Sequence, residues 1–152
     1  MATYWRISNH RDLSGKGGLA AGARWHTVGQ KIVYMTESPT AAILEALVHL
    51  DGDGRDMPDF YNLLQISVPV GTAIHEIDPP GDAWPRNENL TRRLGDAWLK
   101  SRKTLIARVP SVIAPKTWNY LLNPEHPNSA SAEIVSVIRE RFDTRLRRFS
   151  SR

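Results

Sequence analysis

Between Arg24 and Leu50 the chain reads RWHTVGQKIVYMTESPTAAILEALVHL, which sets an arginine, a tyrosine and a glutamate into one strand-to-helix unit. Within it Glu45 and His49 are the polar residues between Ala41 and Leu50, among Ile43, Leu44, Leu47, Val48 and Leu50. A helix apolar around most of its circumference is expected to be buried, and a buried carboxylate is costly unless paired or neutralised. Arg24 is the expected partner. A carboxylate and an arginine in one dry cavity form a site candidate, because burial and a charged neighbour perturb ionisation where chemistry is done. The same residues are compatible with a structural ion pair, or with a glutamate that reaches solvent through a gap. Tyr34 alone is compatible with a core tyrosine whose hydroxyl is satisfied.

The elements that must position these groups are legible locally. Lys31 to Met35 (KIVYM), opened by Gly29, is rich in β-branched and aromatic residues and reads as a strand. Ser38 can accept a bond from a free backbone N–H and Pro39 is preset for the first helical position, so a helix is expected from Pro39 to about Leu50.

Elsewhere, Thr3 to Ile7 (TYWRI) reads as a first strand carrying Arg6, and Ser8 to Ala23 as a loop with Gly15, Gly17, Gly18 and Gly22. No GKS or GKT follows those glycines, so they are not a phosphate-cradling loop; they turn the backbone tightly or mark a mobile loop. DGDGRDMPD lacks the glutamate and flanking helices of a calcium loop. Tyr61 to Val68 and Ala73 to Ile77 read as two strands, antiparallel neighbours if their short connection is a hairpin. A helix from about Leu90 to Ser101 is expected to pack through Leu90, Leu94, Ala97 and Trp98, with Gly95 marking a close approach of another backbone or a ligand. Thr104 to Val109 is a strand, and Val112 to Ala114 continues its extended path. Ser111, just past the strand end, stands where ligand contacts are common and turn formers commoner. Ala132 to Phe142 fits a helix or a strand, and a strand from near Val135 is preferred by composition.

Length fits one domain, 1–152, and 41% hydrophobic with 24% charged residues fits a globular chain. The absence of cysteine excludes disulfides, thiolate chemistry and cysteine-based zinc sites, and is consistent with a cytoplasmic setting. No signal-like or membrane-spanning apolar run is present. His10, His26, His49, His75 and His126 show neither a metal-ligand spacing nor a hydrolase triad pattern, so no metal is expected. The net charge of +4 owes much to Arg139, Arg141, Arg145, Arg147, Arg148 and Arg152, a solvated or partner-facing surface or a nucleic-acid contact.

Several ordered blocks together resemble the RES domain family, named for an arginine, a glutamate and a serine. They are GARW with Tyr34 ten residues after Arg24, the ALE segment at Glu45, GDAWL (95–99), VPS (109–111), NYLLNPEHP (119–127) and FDTRL (142–146), and the likeness covers nearly the whole chain. The resemblance implies an α+β fold, a compact single domain with mixed or antiparallel sheets and a few helices, similar to mono-ADP-ribosyltransferases. It implies the toxin half of a bacterial toxin–antitoxin pair, with an Xre-like antitoxin as partner and destruction of NAD as the activity. Arg24, Tyr34, Glu45 and Ser111 are carried over as site residues, and Arg6 joins them as a substrate-binding candidate.

Under that resemblance, an arginine fork at Arg24 would hold phosphate or ribose oxygens. Glu45 would stabilise the oxocarbenium-like cation that forms when nicotinamide leaves ribose. Tyr34 would stack on nicotinamide or ribose and Ser111 would hydrogen-bond the dinucleotide. NAD is then substrate rather than cofactor. Water, inorganic phosphate or a protein side chain could accept the ADP-ribose, and DNA would be reached only through the antitoxin, in a complex where the toxin could self-associate. Two readings of other classes remain, a basic nucleic-acid-binding module without catalysis and an inert partner-binding domain.

Overall fold

The computed structural model describes residues 1–50 and 57–147; the acidic stretch at 51–56 and the last arginines, Arg148 and Arg152, lie outside them. Seven strands make one mixed sheet in the order β4-β5-β6-β2-β1-β3-β7, with three helices among the described residues. The strands are β1 (Ala2–Ile7), β2 (Val33–Thr36), β3 (Phe60–Val68), β4 (Ile74–Glu76), β5 (Ile106–Pro110), β6 (Trp118–Leu122) and β7 (Glu133–Arg141). The helices are α1 (Gly17–Ala20), α2 (Pro39–Val48) and α3 (Glu88–Ser101). The fold is the α+β domain that the sequence led us to expect.

The seam between β1 and β2 matters most. Long ladders join β1 to β3 and β2 to β6, whereas β1 and β2 meet at a single pair, Trp5 with Thr36. The sheet therefore divides into two halves that share a core: Tyr4, Leu64, Ile66 and Val68 from one pack with Val33, Met35, Ile106 and Leu122 from the other. On the opposite face of β5 and β6, Ala107, Val109 and Leu121 pack with Trp98 and Leu99 of α3 and with Trp25. Burial on both faces is why β5 reads as a nearly continuous apolar run.

Several elements match the sequence reading. Ser38 caps α2 by accepting from Ala41 N at 3.1 Å, with Pro39 in its first turn. The segment from Ala132 to Phe142 holds a strand, β7, over Glu133–Arg141. Gly95 is pressed against a backbone: a Cβ built there would lie 1.7 Å from the Trp25 carbonyl oxygen.

Other expectations fail for identifiable reasons. The strands at 61–68 and 73–77 are not hairpin neighbours: β3 has both edges filled by β1 and β7, and β4 crosses the sheet to pair parallel with β5. α3 packs on the core through Trp98, with Leu94 partly buried beside it, as expected, but Ala97 is exposed and Thr91, Gly95 and Leu99 are buried, because Thr91 and Gly95 meet the backbone of residues 24–25. Residues 111–116 turn rather than extend, and Trp118–Leu122 adds a strand, β6. The glycine-rich segment contains the one-turn α1, and Gly15, at φ +70°, lets the chain close on Ile32. Most simply overturned is the all-round burial of α2, where Ala42 is buried and Leu44 and Val48 are exposed. Its apolar residues cover the seam on one side and face outward on the other.

Candidate active site

A cavity of about 730 Å³ opens at the seam, lined on the sheet side by Trp5, Arg6, Tyr34 and Asn119, by Glu45 and His49 of α2, and by Arg24 and Glu88. That volume suits a drug-sized or dinucleotide ligand. Four of the five residues expected at the site therefore meet in one place. Ser111 stands at its edge, where its neighbours Pro110, Val112 and Ile113 line the wall.

Arg24 is placed by a tight turn, closed where Ala23 N donates to His26 O at 3.2 Å. The turn is gripped by α3: Thr91 Oγ1 donates to Arg24 O at 2.6 Å, Arg92 Nε donates to Ala23 O at 2.9 Å, and Asp96 accepts from both the amide and the hydroxyl of Thr27. The guanidinium itself donates to Pro85 O at 2.9 Å and stands 3.8 Å from Glu88. It does not pair with Glu45.

Glu45 instead accepts from Asn119 Nδ2 at 2.8 Å and lies 3.8 Å from His49 Nε2, an ion pair when that imidazole is protonated. Its side chain keeps 25% of its exposure, so the need for a buried cationic partner lapses with the buried helix. Nothing local in the sequence singles out Asn119. It sits in the NYLL block, but a lone asparagine in a strand gives no signal until the register sets it beside Thr36 and opposite α2.

Tyr34 spends its hydroxyl on the turn. Its oxygen accepts from Trp25 N at 3.2 Å and lies 2.7 Å from His26 Nδ1. The Ala21 carbonyl, 2.9 Å from His26 Nε2, requires a proton on that nitrogen, which leaves Nδ1 to accept the phenol proton. Burial pushes the phenol pKa well above its ordinary value, an effect the Trp25 amide partly offsets. Tyr34 is thus neutral, and its ring, not its hydroxyl, is what the cavity can use.

Arg6 lines the cavity with a buried Nε that faces no acceptor. Burial lowers its pKa, against the raising influence of nearby Asp12. A guanidinium short of partners in a cavity is fitted to an anion. Ser111 Oγ accepts from Ile113 N at 3.1 Å and Ala114 N at 3.5 Å, which leaves its own proton to donate. Among the described residues no group of three or more metal-ligating side chains gathers, and no helix is long and apolar enough to cross a membrane.

The RES domain matches residues 3–145. The chain belongs to the RES domain family. Its relatives include a protein named Toxin Res from Pseudomonas putida, 44% identical over 130 residues, 86% of this chain and 90% of that one. Another, from a Sphingobium species, is named a Prs ADP-ribosylating toxin and is 35% identical over 95% of this chain and 96% of its own length. A Toxin Res from Yersinia enterocolitica is 32% identical over 94% of this chain and 98% of its own. The RES-type blocks at Arg24, Tyr34 and Glu45, with Pro110 and Asn119 from two later blocks, line the cavity.

Proposed function

We propose that this RES-family toxin degrades NAD by cleaving the bond between nicotinamide and ribose. The observation that carries the reading is the convergence in one cavity of a largely buried carboxylate, Glu45, with two arginines, one of them with an unpartnered buried Nε. A pyrophosphate carries two negative charges. Arg6 and Arg24 hold it, and Glu45 faces the ribose. Nicotinamide leaves with the electron pair of the C–N bond, which neutralises its own ring cation, so no general acid is required. The positive charge that develops on the ribose is stabilised by the Glu45 carboxylate. Water then bonds to the sugar carbon and loses a proton to solvent, giving ADP-ribose; inorganic phosphate in its place gives a sugar phosphate. The Tyr34 ring packs on the nicotinamide or ribose, and the Ser111 hydroxyl donates to the dinucleotide.

NAD is substrate in this reading and no cofactor or metal is involved. A freely active NAD-consuming enzyme would poison its cytoplasm, so an Xre-like antitoxin covers the cleft. Val48, Val112 and Ile113, exposed apolar residues at its rim, are what such a partner would bury. The complex reaches DNA through the antitoxin and can contain more than one toxin copy.

A second reading is favoured by the name of the Sphingobium relative: transfer of ADP-ribose to a protein side chain by the same cleavage. One experiment separates the readings. NAD loss is followed for the purified chain free of any partner, with and without phosphate, beside a folded Glu45→Ala control. Loss in the wild type alone supports the reading and dependence on phosphate names the acceptor. Loss only when a protein acceptor is added moves the function to transfer. No loss in any arm sinks both and returns a basic binding module to the fore.

A further inference from the structure

We infer that Asn119 is the positioning residue for Glu45: it fixes the direction of the carboxylate at the cavity wall. The inference rests on the NAD reading of this site. Four observations carry it.

First, Asn119 Nδ2 donates to Glu45 Oε1 at 2.8 Å, across 74 positions in sequence. Second, among the described residues nothing else holds that carboxylate firmly. Its other contact, His49, lies 3.8 Å away with a side chain 75% exposed, and a surface pair of that kind constrains little. Third, the backbone of Asn119 is held on both sides. It is paired with Thr36 on one side and Val109 on the other, in the middle of three hydrogen-bonded strands, and Thr36 is in turn the residue where β2 meets Trp5 of β1. The side chain therefore starts from a fixed place in the row of residues that crosses the seam.

The fourth observation sets the orientation. Both carboxylate oxygens of ionised Glu45 accept and neither donates, so the amide must turn its nitrogen toward them. In that orientation Asn119 Oδ1 is buried with no donor. An asparagine kept for structural satisfaction would be expected to pair both ends, since a buried bare acceptor destabilises the fold. Here one end is left bare and the other is committed to Glu45. Asn119 touches the carboxylate rather than the reacting atoms, so it acts through Glu45: a displaced carboxylate still lets NAD bind but stabilises the developing cation less well.

The test is steady-state kinetics of NAD consumption by the full chain carrying Asn119→Asp or Asn119→Ala, with a melting curve for each. Aspartate nearly keeps the shape of asparagine but removes the donor and sets a second carboxylate against Glu45. The expected result is a fall in kcat of roughly 100-fold with KM changed by no more than about threefold, because orientation is lost while ground-state binding is kept. Should Asn119→Asp fail to fold, Asn119→Ala is read by the same split, with a fall of roughly 10-fold or more in kcat. A folded Asn119→Asp with wild-type kcat overturns the inference and leaves the NAD reading standing. So does a loss confined to KM, which would make Asn119 a substrate-binding group. A wild type that consumes no NAD removes the reading first and the inference with it.

Discussion

The two walls of the cavity are held in opposite ways. The turn at residues 23–27, which carries Arg24, is gripped through its backbone by Thr91, Arg92 and Asp96 of α3 and by the Tyr34 hydroxyl, with Gly95 pressed on Trp25. The wall from α2, which carries Glu45, is anchored by the buried Ala42 and by one hydrogen bond from Asn119, and turns Leu44 and Val48 to solvent. One wall is built into the fold, and the other is laid across it. In the proposed reading the anchoring wall holds a charged substrate, and the bonds from α3 to its main chain keep that wall fixed. The other supplies a charge whose value appears in the reaction rather than in the fold. Substitutions should therefore divide, with stability lost at the first wall and rate at the second.

The largest effect belongs to Glu45→Gln. It keeps the shape and can still accept from Asn119, but it removes the charge. The rate of NAD loss should fall roughly 10²- to 10³-fold, the scale of losing one electrostatic stabiliser, while the melting temperature stays close to wild type. A loss of stability as large as the loss of rate would erase the contrast between the walls.

Next is Gly95→Ala. The added methyl carbon would stand 1.7 Å from the Trp25 carbonyl oxygen, and backbone on both sides leaves nothing flexible to yield. We expect about 3 kcal/mol of destabilisation in urea denaturation, at the upper end of overpacking costs. A neutral result would mean that α3 can slide from the turn, and that the first wall is no firmer than the second.

Tyr34→Phe sharpens the comparison because the residue lines the cavity yet spends its hydroxyl on the anchoring wall. The change strands the Trp25 amide and His26 Nδ1, both otherwise paired with that oxygen. The cost should be about 1–3 kcal/mol of stability. If the ring alone meets substrate, KM and kcat of the folded variant stay near wild type; a large kcat loss would assign the hydroxyl to the reaction.

How much of this was legible in the sequence also follows the walls. Gly95 inside a helical pattern points to a close approach of another backbone or a ligand, because a glycine in a helix interior is costly without a reason, and the structure supplies the backbone, at Trp25. Ser38 and Pro39 placed the start of α2 for equally local reasons. The pairing of Arg24 with Glu45 failed because it rested on a tertiary premise, that α2 is buried all round, which the apolar pattern alone could not separate from a helix lying across a seam. Asn119 was invisible for the same reason. Its importance depends on which strand lies beside β2, and β4 shows how poorly chain order gives that: it follows β3 closely in sequence and pairs with β5 at the far edge of the sheet.

The smallest expected effect tests the second wall most directly. Leu44, on the outer side of α2, retains 44% of its exposure, and Val48, one turn on, retains 57%. Burial of a leucine stabilises a fold by about 1.5–3 kcal/mol, so an all-round buried α2 would make Leu44→Gln strongly destabilising. With nearly half of the side chain already in water, and glutamine close to leucine in helix propensity, the change should cost no more than about 1 kcal/mol. Urea denaturation of the free chain resolves the two cases. A near-neutral result, beside the large loss expected for Gly95→Ala, would show that α2 is held from one side only. The position of Glu45 would then depend on Asn119 and the seam rather than on the bulk of the core.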